Sequence, residues 1–246
     1  MAMRDDGGDV TARPFSFAKL RTSPNNPVPI AVAVASEADV LRAATSAGRA
    51  GYVRPILVGR REQIREVAEK DRIDLADAEI VNERDPERAT VRAVSLVASG
   101  EAAMLMKGLV DTSILLHAVL DRENGLRSGS VLSHLALFEI DGFPRPLGVT
   151  DAAMNIAPEL ETKRAILENA VSFFHRLAYP SPNVAVFAAK EKVHPKMSAT
   201  VDAAELTAMN VRGEIVGCTV GGPFALDNAV SLHAAQTKGI DSPVAG

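Results

Sequence analysis

The sequence has 246 residues, a length that suits one large α/β domain or two smaller ones. Apolar residues make up 47% but aromatic residues only 4%, so aliphatic side chains must fill the interior, as they do in parallel-sheet proteins. The formal net charge of −4 argues against general nucleic-acid binding, and an anionic ligand therefore needs a local cluster of positive groups.

The first half of the chain alternates between strand-like apolar runs and helical segments. Residues 1–27 are rich in Gly, Pro, Asn and charge, and we interpret them as a loose N-terminal arm. Four strands are predicted, which begin near Pro29, Pro55, Ala78 and Ala103. Ser36 is expected to cap the first helix, and Asp85 followed by Pro86 predicts the start of the third. This alternation predicts a first α/β lobe over residues 28–127, with a parallel sheet covered on both faces.

A second α/β lobe is predicted over residues 128–246. Asp141-Gly142 between two apolar runs indicates an antiparallel hairpin. Further along we predict a helix over about 159–177, a strand over 184–188, a helix over 201–209, a strand over 215–220 and a helix over 225–236. The predicted class is therefore α/β with mostly parallel sheets in two lobes, and the cleft between lobes is the expected ligand site.

The most informative loop lies between the fourth strand and its helix. The strand ends in Lys107-Gly108, and Asp111, Thr112 and Ser113 open the helix. The first N–H groups of a helix have no partner inside it and carry the positive end of its dipole, so an anion fits there. The alternative is that Asp111 or Thr112 simply caps a core helix.

Three further polar loops are interpreted as following strands, at the edge of the sheet where ligands gather. Their candidate residues are Arg127, Ser128, Asp151, Asn155, Gly222, Pro223 and Asp227. An arginine between small residues suits a phosphate, and paired glycines allow close approach of a ligand. Each loop also has a structural alternative. The alternative for the Arg127 loop is an exposed turn, and Asp151 and Asn155 suit a turn held by side-chain to backbone hydrogen bonds. Asp227 can compensate the dipole of the following helix.

Several kinds of site are excluded because their sequence signatures are absent. There is no P-loop, no GxGxxG fingerprint, no GxSxG elbow and no histidine pair with metal-ligand spacing, so we expect no metal. The single cysteine, Cys218, excludes an intrachain disulfide and lies in an apolar run, as an inert core thiol would. With no apolar run of transmembrane length and no apolar core of a signal peptide, the sequence predicts a cytoplasmic protein.

At these loops the sequence resembles the phosphate butyryltransferase and phosphate acetyltransferase family. The matching blocks are MKGLVDTS, GLRSGSVLSH, VTDAAMNIAP, PKMSATVDAAELTAMN, and GGPFALDNAVS followed by KGIDSPVAG, within residues 30–246. The resemblance implies two α/β lobes like those of isocitrate and isopropylmalate dehydrogenases, usually assembled as a homodimer.

The resemblance also implies the reaction of acyl-CoA with phosphate to give acyl phosphate and CoA. Coenzyme A is then a substrate and no other cofactor is expected, nor a nucleic-acid or membrane partner. The candidate residues named above become candidate substrate-binding residues. In this family the base and the main acyl-phosphate clamp lie in a C-terminal Ser-Arg pair with an Asp downstream, and no such motif occurs up to Gly246.

We therefore expect this polypeptide to bind substrates without its main catalytic apparatus. Two alternatives remain open from the sequence. One is an acyl phosphate synthase of the same superfamily that uses acyl carrier protein. The other is a non-catalytic protein that binds CoA or phosphate.

Overall fold

The computed structural model describes Phe17 and residues 26–128, 131–141, 143 and 145–246. They fall into two compact units, one up to residue 128 and one from residue 131. Most of the predicted N-terminal arm, Gly129 and Ser130 of the Arg127 loop, and Gly142 of the predicted hairpin lie outside the described residues. No helix among the described residues is long and apolar enough to cross a membrane.

The first unit contains a four-stranded parallel sheet in the order β3-β2-β1-β4. Its strands are β1 (Val28–Ala33), β2 (Val53–Gly59), β3 (Glu79–Asn82) and β4 (Met104–Lys107). The helices that follow them in turn are α1 (Ala38–Arg49), α2 (Arg61–Lys70), α3 (Pro86–Ala98) and α4 (Thr112–Val119). The predicted α/β class with a mostly parallel sheet is thus confirmed.

The central strand β1 is buried on both faces, which is why it reads as a continuous apolar run. Val32 packs with α1 and α2 in one cluster, whereas Ala31 and Ala33 pack with α3 in another. Successive side chains of a strand point to opposite faces, so β1 holds together both helical layers of this unit.

Of the two predicted helix caps, the structure contains one. The Asp85 carboxylate accepts a hydrogen bond from Arg88 N at 2.8 Å, so the predicted start of α3 is confirmed. The prediction for Ser36 is wrong, because Glu37 is the N-cap residue of α1 and makes no side-chain capping bond. Ser36 is instead buried in a tight turn, where its N–H donates to Val34 O at 2.9 Å.

The second unit contains two separate two-stranded sheets. The hairpin pairs β5 (Ala136–Phe138) antiparallel with β6 (Leu147–Val149), as predicted. The other sheet pairs β7 (Asn183–Phe187) parallel with β8 (Thr219–Phe224). The helices are α5 (Leu160–Arg176), α6 (Ser198–Val211), α7 (Leu226–Val230) and α8 (Leu232–Thr237).

Helix α5 packs on both of these sheets. The Phe174 ring lies where a side chain at Gly148 would meet it, with the ideal Cβ only 2.7 Å from the ring. Leu167 and Val171 pack in one cluster with Val184 of β7. The same helix therefore contacts both sheets.

Two predictions at the end of the chain are wrong. The strand predicted over 215–220 begins only at Thr219, since Gly217 adopts a positive φ of 76°, and it continues through the glycine pair. The helix predicted over 225–236 breaks at Ser231, which has an extended backbone. The Ser231 side chain accepts a hydrogen bond from Ala234 N at 3.3 Å, and the residue thereby ends α7 and caps α8.

Candidate functional site

The strand order of the first unit marks one place as the natural ligand site. Successive crossovers lead from β1 to β2 and to β3, and the next one leads to β4 on the other side of β1. In open α/β sheets, ligands bind outside the carboxyl ends of the strands where the order reverses in this way. Lys107 pairs with Ala33 at that edge, so the Lys107-Gly108 loop lies at the switch point.

Gly108 is required by close packing of backbone against backbone. An ideal Cβ at this position would lie 2.4 Å from both Ala33 O and Val34 O. The Gly108 N–H donates to Ala33 O at 2.8 Å, and the Leu109 N–H donates to Val34 O at 2.9 Å. The close approach expected of this glycine is therefore made to the end of β1, and it fixes the loop that leads into α4.

The start of α4 offers unpaired donors. Asp111 is the N-cap residue, but its side chain makes no capping bond. Neither Thr112 N nor Ser113 N has a hydrogen-bond partner among the described residues, and both side chains are exposed. Lys107 Nζ folds over the same loop and donates to Val110 O at 2.7 Å. An ammonium, two hydroxyls and two free N–H groups are thus gathered at one helix start, as an anion requires.

The Arg127 loop does not follow a strand, so that prediction is wrong. It follows α4, and Leu126 N donates to Val119 O at 2.8 Å at the last residue of that helix. Arg127 and Ser128 are exposed, and Arg127 has no ion pair among the described residues. Leu126, the residue before Arg127, is therefore anchored at the opposite end of α4 from Thr112. No hydrogen bond or ion pair between described residues joins Arg127 to the Lys107 loop.

Asp151 follows β6 and is saturated with hydrogen bonds. One carboxylate oxygen accepts from Ala153 N at 2.9 Å and Met154 N at 2.8 Å, and the other accepts from His134 N at 3.2 Å and Asn155 Nδ2 at 2.6 Å. Burial raises the pKa of Asp151, but these bonds outweigh burial and lower the pKa to about 2. The carboxylate is therefore ionised at neutral pH and is a poor proton acceptor.

The Asn155 amide is likewise occupied by hydrogen bonds within the second unit. Its Nδ2 donates to Leu132 O at 3.0 Å as well as to Asp151. These contacts fit the alternative interpretation from the sequence, in which the side chains hold the chain between β6 and α5. The pair positions a loop and has few bonding groups left for a ligand.

Gly222 and Pro223 were expected in a loop but lie inside β8. An ideal Cβ at Gly222 would lie 2.9 Å from Val186 O and 3.0 Å from Val186 Cβ. The glycine therefore permits close packing of β8 on β7, and protein atoms fill the space that was expected for a ligand.

Asp227 belongs to a group of charges at the surface of the second unit. Its Oδ2 lies 3.0 Å from Lys238 Nζ, and Lys238 also pairs with Glu191. The hydrogen bonds with Lys238 lower the pKa of both carboxyls, and the contact with Glu191 is the main cause that raises the pKa of Lys238. Glu191 further accepts from Asn228 Nδ2 at 3.0 Å.

The structure distinguishes three residues that were not among the predicted site residues. Lys238 forms ion pairs with two carboxylates that are distant in sequence, so no local sequence pattern indicated its role. Asn228 is fully buried, and its Oδ1, like Nδ1 of His134, has no partner among the described residues. The described residues contain no group of three His, Cys, Asp or Glu that could hold a metal ion.

Comparison with known proteins gives a consistent result. The family model described as "Phosphate acetyl/butaryl transferase" matches residues 85–246. The phosphate butyryltransferase of Clostridium beijerinckii is 48% identical over 217 residues, which are 88% of this chain and 72% of that protein. The phosphate acetyltransferase of Thermotoga maritima is 42% identical over 217 residues, which are 88% of this chain and 74% of that protein.

Solved structures show the same similarity. A branched-chain phosphotransacylase from Enterococcus faecalis has a TM-score of 0.77 and 30% identity, over 89% of this chain and 76% of that one. The EutD phosphotransacetylase of Staphylococcus aureus has a TM-score of 0.70 at 19% identity, over 93% of this chain and 77% of that one, which is a likeness of fold.

Proposed function

Because this chain belongs to the phosphate acetyl/butaryl transferase family, we propose that the start of α4 holds the phosphate group of its substrates. The reaction is the reversible transfer of an acyl group between CoA and phosphate, in which acyl-CoA and phosphate give acyl phosphate and CoA. The observation that supports this assignment is the pair of unpaired N–H groups at Thr112 and Ser113, at the switch point of the sheet.

The physical task at this site is to bring together two anionic substrates. Free N–H groups, hydroxyls and the Lys107 ammonium stabilise negative charge on the phosphoryl oxygens and fix their orientation. Charge that builds up on the acyl phosphate during attack by the thiolate is stabilised by donors that are already in place. The protein needs no metal and no cofactor other than CoA as substrate.

The CoA thiol must lose its proton before it attacks. A free thiol has a pKa of about 8.5, so a general base has modest work to do at neutral pH. Asp151 does not take this role, since its pKa of about 2 makes it a weak base. We assign Asp151 and Asn155 to positioning of their loop, and we assign no base among the candidate residues.

The test is the affinity for acyl phosphate in variants at the start of α4. Charge-assisted hydrogen bonds contribute about 1.5–3 kcal/mol each, so Lys107→Ala and Ser113→Ala should each weaken binding by roughly 10-fold or more. Thioester formation from CoA with acetyl or butyryl phosphate gives KM, and calorimetric titration with inorganic phosphate gives Kd for a chain that does not turn over.

Lys70→Ala and Ser46→Ala are the matched controls, because both residues are exposed towards the C-terminal ends of helices of the same unit, α2 and α1. Wild-type affinity in both α4-start variants would contradict the assignment. Turnover with acyl carrier protein in place of CoA would indicate the related acyl phosphate synthase. Binding without turnover in any form of the protein would indicate a binding protein.

We further propose a cytoplasmic homodimer with only small-molecule substrates. The net charge of −4 supports the absence of a nucleic-acid partner. Light scattering coupled to size-exclusion chromatography measures the mass in solution, and a monomer at micromolar concentration would contradict the dimer.

A further inference from the structure

The loop that leaves α4 contains an asparagine followed directly by a glycine, Asn124-Gly125. It is the only Asn-Gly pair in the sequence. The backbone nitrogen of the residue after an asparagine can attack the side-chain amide of that asparagine, and glycine leaves this approach open because it has no Cβ. Whether the reaction occurs in a folded protein depends on how the fold holds the two groups.

The structure leaves both reacting groups available. The Asn124 side chain is exposed, and its only hydrogen bond among the described residues is a long one, from Nδ2 to Asp121 Oδ1 at 3.5 Å. The Gly125 N–H has no hydrogen-bond partner among those residues, so no carbonyl oxygen holds the attacking nitrogen. Neither group has to break a strong hydrogen bond before it reacts.

Asn82, which is also exposed, shows the opposite arrangement. The N–H of the next residue, Glu83, donates to Gly59 O at 3.0 Å, and Asn82 Oδ1 accepts from Arg61 N at 3.0 Å. Attack within this pair would break both bonds, and it would have to pass the Cβ of Glu83. Asn124 therefore differs from Asn82 in the unbonded nitrogen beside it and not in its exposure.

We infer that Asn124 is a site of deamidation. The Gly125 nitrogen bonds to Cγ of Asn124, the bond from Cγ to Nδ2 breaks, and the Gly125 amide proton leaves with Nδ2 as ammonia. Water then opens the resulting cyclic imide at either of its two carbonyl groups. One product is aspartate and the other is isoaspartate, in which the main chain runs through the former side chain. Water is the only co-reactant, and nothing is oxidised or reduced.

The new negative charge acts on the turn that Asp121 holds. Asp121 Oδ1 accepts from Asn124 N at 2.8 Å and from Glu123 N at 3.0 Å, and these two bonds are the main causes that lower the pKa of Asp121. A carboxylate at position 124 replaces a donor to Asp121 by a like charge. It also lies just beyond the C-terminal end of α4, where the helix dipole disfavours negative charge.

Isoaspartate also lengthens the main chain, and the loop has no room for the extra carbon. An ideal Cβ at Gly125 would lie 2.5 Å from both Val119 O and Asp121 O, so this backbone packs closely on the end of α4. The next N–H, that of Leu126, donates to Val119 O at 2.8 Å and anchors the chain ahead of Arg127. Deamidation should therefore release the Arg127 loop from α4.

The test ages the 246-residue protein in mildly alkaline buffer and follows its asparagines by peptide mass spectrometry. Replacement of NH2 by OH raises the mass of the tryptic peptide of residues 123–127, and enzymatic methylation identifies isoaspartate. We expect Asn124 to deamidate at least about tenfold faster than Asn82 and Asn183, the exposed internal controls, because glycine does not obstruct the attack. Equal rates at the three asparagines would overturn the inference.

Asn124→Gln is the matched variant, since glutamine keeps the amide but would have to close a larger ring. Hydrogen exchange of both proteins is measured before and after ageing. The Leu126 amide should exchange at least about tenfold faster after ageing in the wild type and should not change in Asn124→Gln, while Val32 of β1 should not change in either. Isoaspartate at position 124 with unchanged Leu126 exchange would overturn the release of the Arg127 loop. These readouts are independent of acyl transfer and of phosphate binding at the start of α4.

Discussion

At the scale of single residues, Asp151 shows how a polar side chain in a promising loop can be fully used by the fold. Four donors converge on its carboxylate, and they come from both sides of the hairpin and from the turn before α5. A carboxylate whose acceptor sites are all satisfied in this way stabilises one conformation of the loop. Its value to function lies in holding the neighbouring backbone still.

The low pKa of Asp151 predicts that the free energy of unfolding decreases as the pH falls through the acid range. The pKa of about 2 in the folded state lies below the usual value near 3.9 in the unfolded state, so the ionised carboxylate stabilises the fold. That contribution is complete above about pH 5 and is lost as the pH falls from about 4 towards 2.

Asp151→Ala should lose about 2 kcal/mol of unfolding free energy at neutral pH and flatten the acid limb of the stability curve. Urea unfolding at a series of pH values measures both effects. Asp241→Ala is the control, because the Asp241 carboxylate has no hydrogen-bond partner within the part of the chain that the structure describes. An acid limb that stays as steep in Asp151→Ala as in the wild type would contradict the prediction.

At the scale of elements, the packing of the β4–α4 loop on β1 depends on Gly108. Gly108→Ala drives a methyl group into the two carbonyl oxygens at the end of β1, and backbone cannot move aside as a flexible side chain can. We expect a loss of about 3 kcal/mol in unfolding free energy, at the upper end of overpacking costs, together with weaker phosphate binding.

Gly100→Ala is the matched control within the same unit. Gly100 has a positive φ of 81° but nothing within 4 Å of its ideal Cβ, so only the conformational cost of about 1 kcal/mol applies. Urea unfolding and phosphate titration of both variants separate the two effects. A smaller loss in Gly108→Ala than in Gly100→Ala would show that the loop adapts.

Most elements were predictable from local signals in the sequence. The strand–helix alternation, the hairpin and the start of α3 follow from periodicity, the Asp-Gly turn and the Asp85 cap. The extent of β8 was not predictable, because it is set by partners remote in sequence: Val186 and Ser242 lie against its glycines. The candidate site shows the same division. The start of α4 could be predicted from the local sequence, whereas the position of Arg127 depends on how the chain leaves α4.

At the scale of the whole molecule, binding of an anion and stability are linked. Each hydrophobic cluster of the described residues draws on one unit only, so an anion at the α4 start should stabilise the first unit. Inorganic phosphate at about 100 times its Kd should add about 2.7 kcal/mol to the unfolding free energy of that unit.

Hydrogen exchange at Val32 and Ala33 of β1 reports this gain, with chloride at equal ionic strength as the control. In Ser113→Ala the gain should shrink in proportion to the weakened affinity. No phosphate-dependent protection of these two amides in the wild type would contradict the linkage.

The position of β4 beside β1 has a consequence for how the protein acquires its function during folding. Ile30 pairs with Met104, and every other strand of that sheet lies between them in sequence. Contacts of such long range form slowly, because the entropy of closing a large loop is lost before the contacts contribute any stabilisation. The start of α4 is held in place only once β4 has docked, so we expect the proposed phosphate site to form at the end of the folding of this sheet and not gradually along the way.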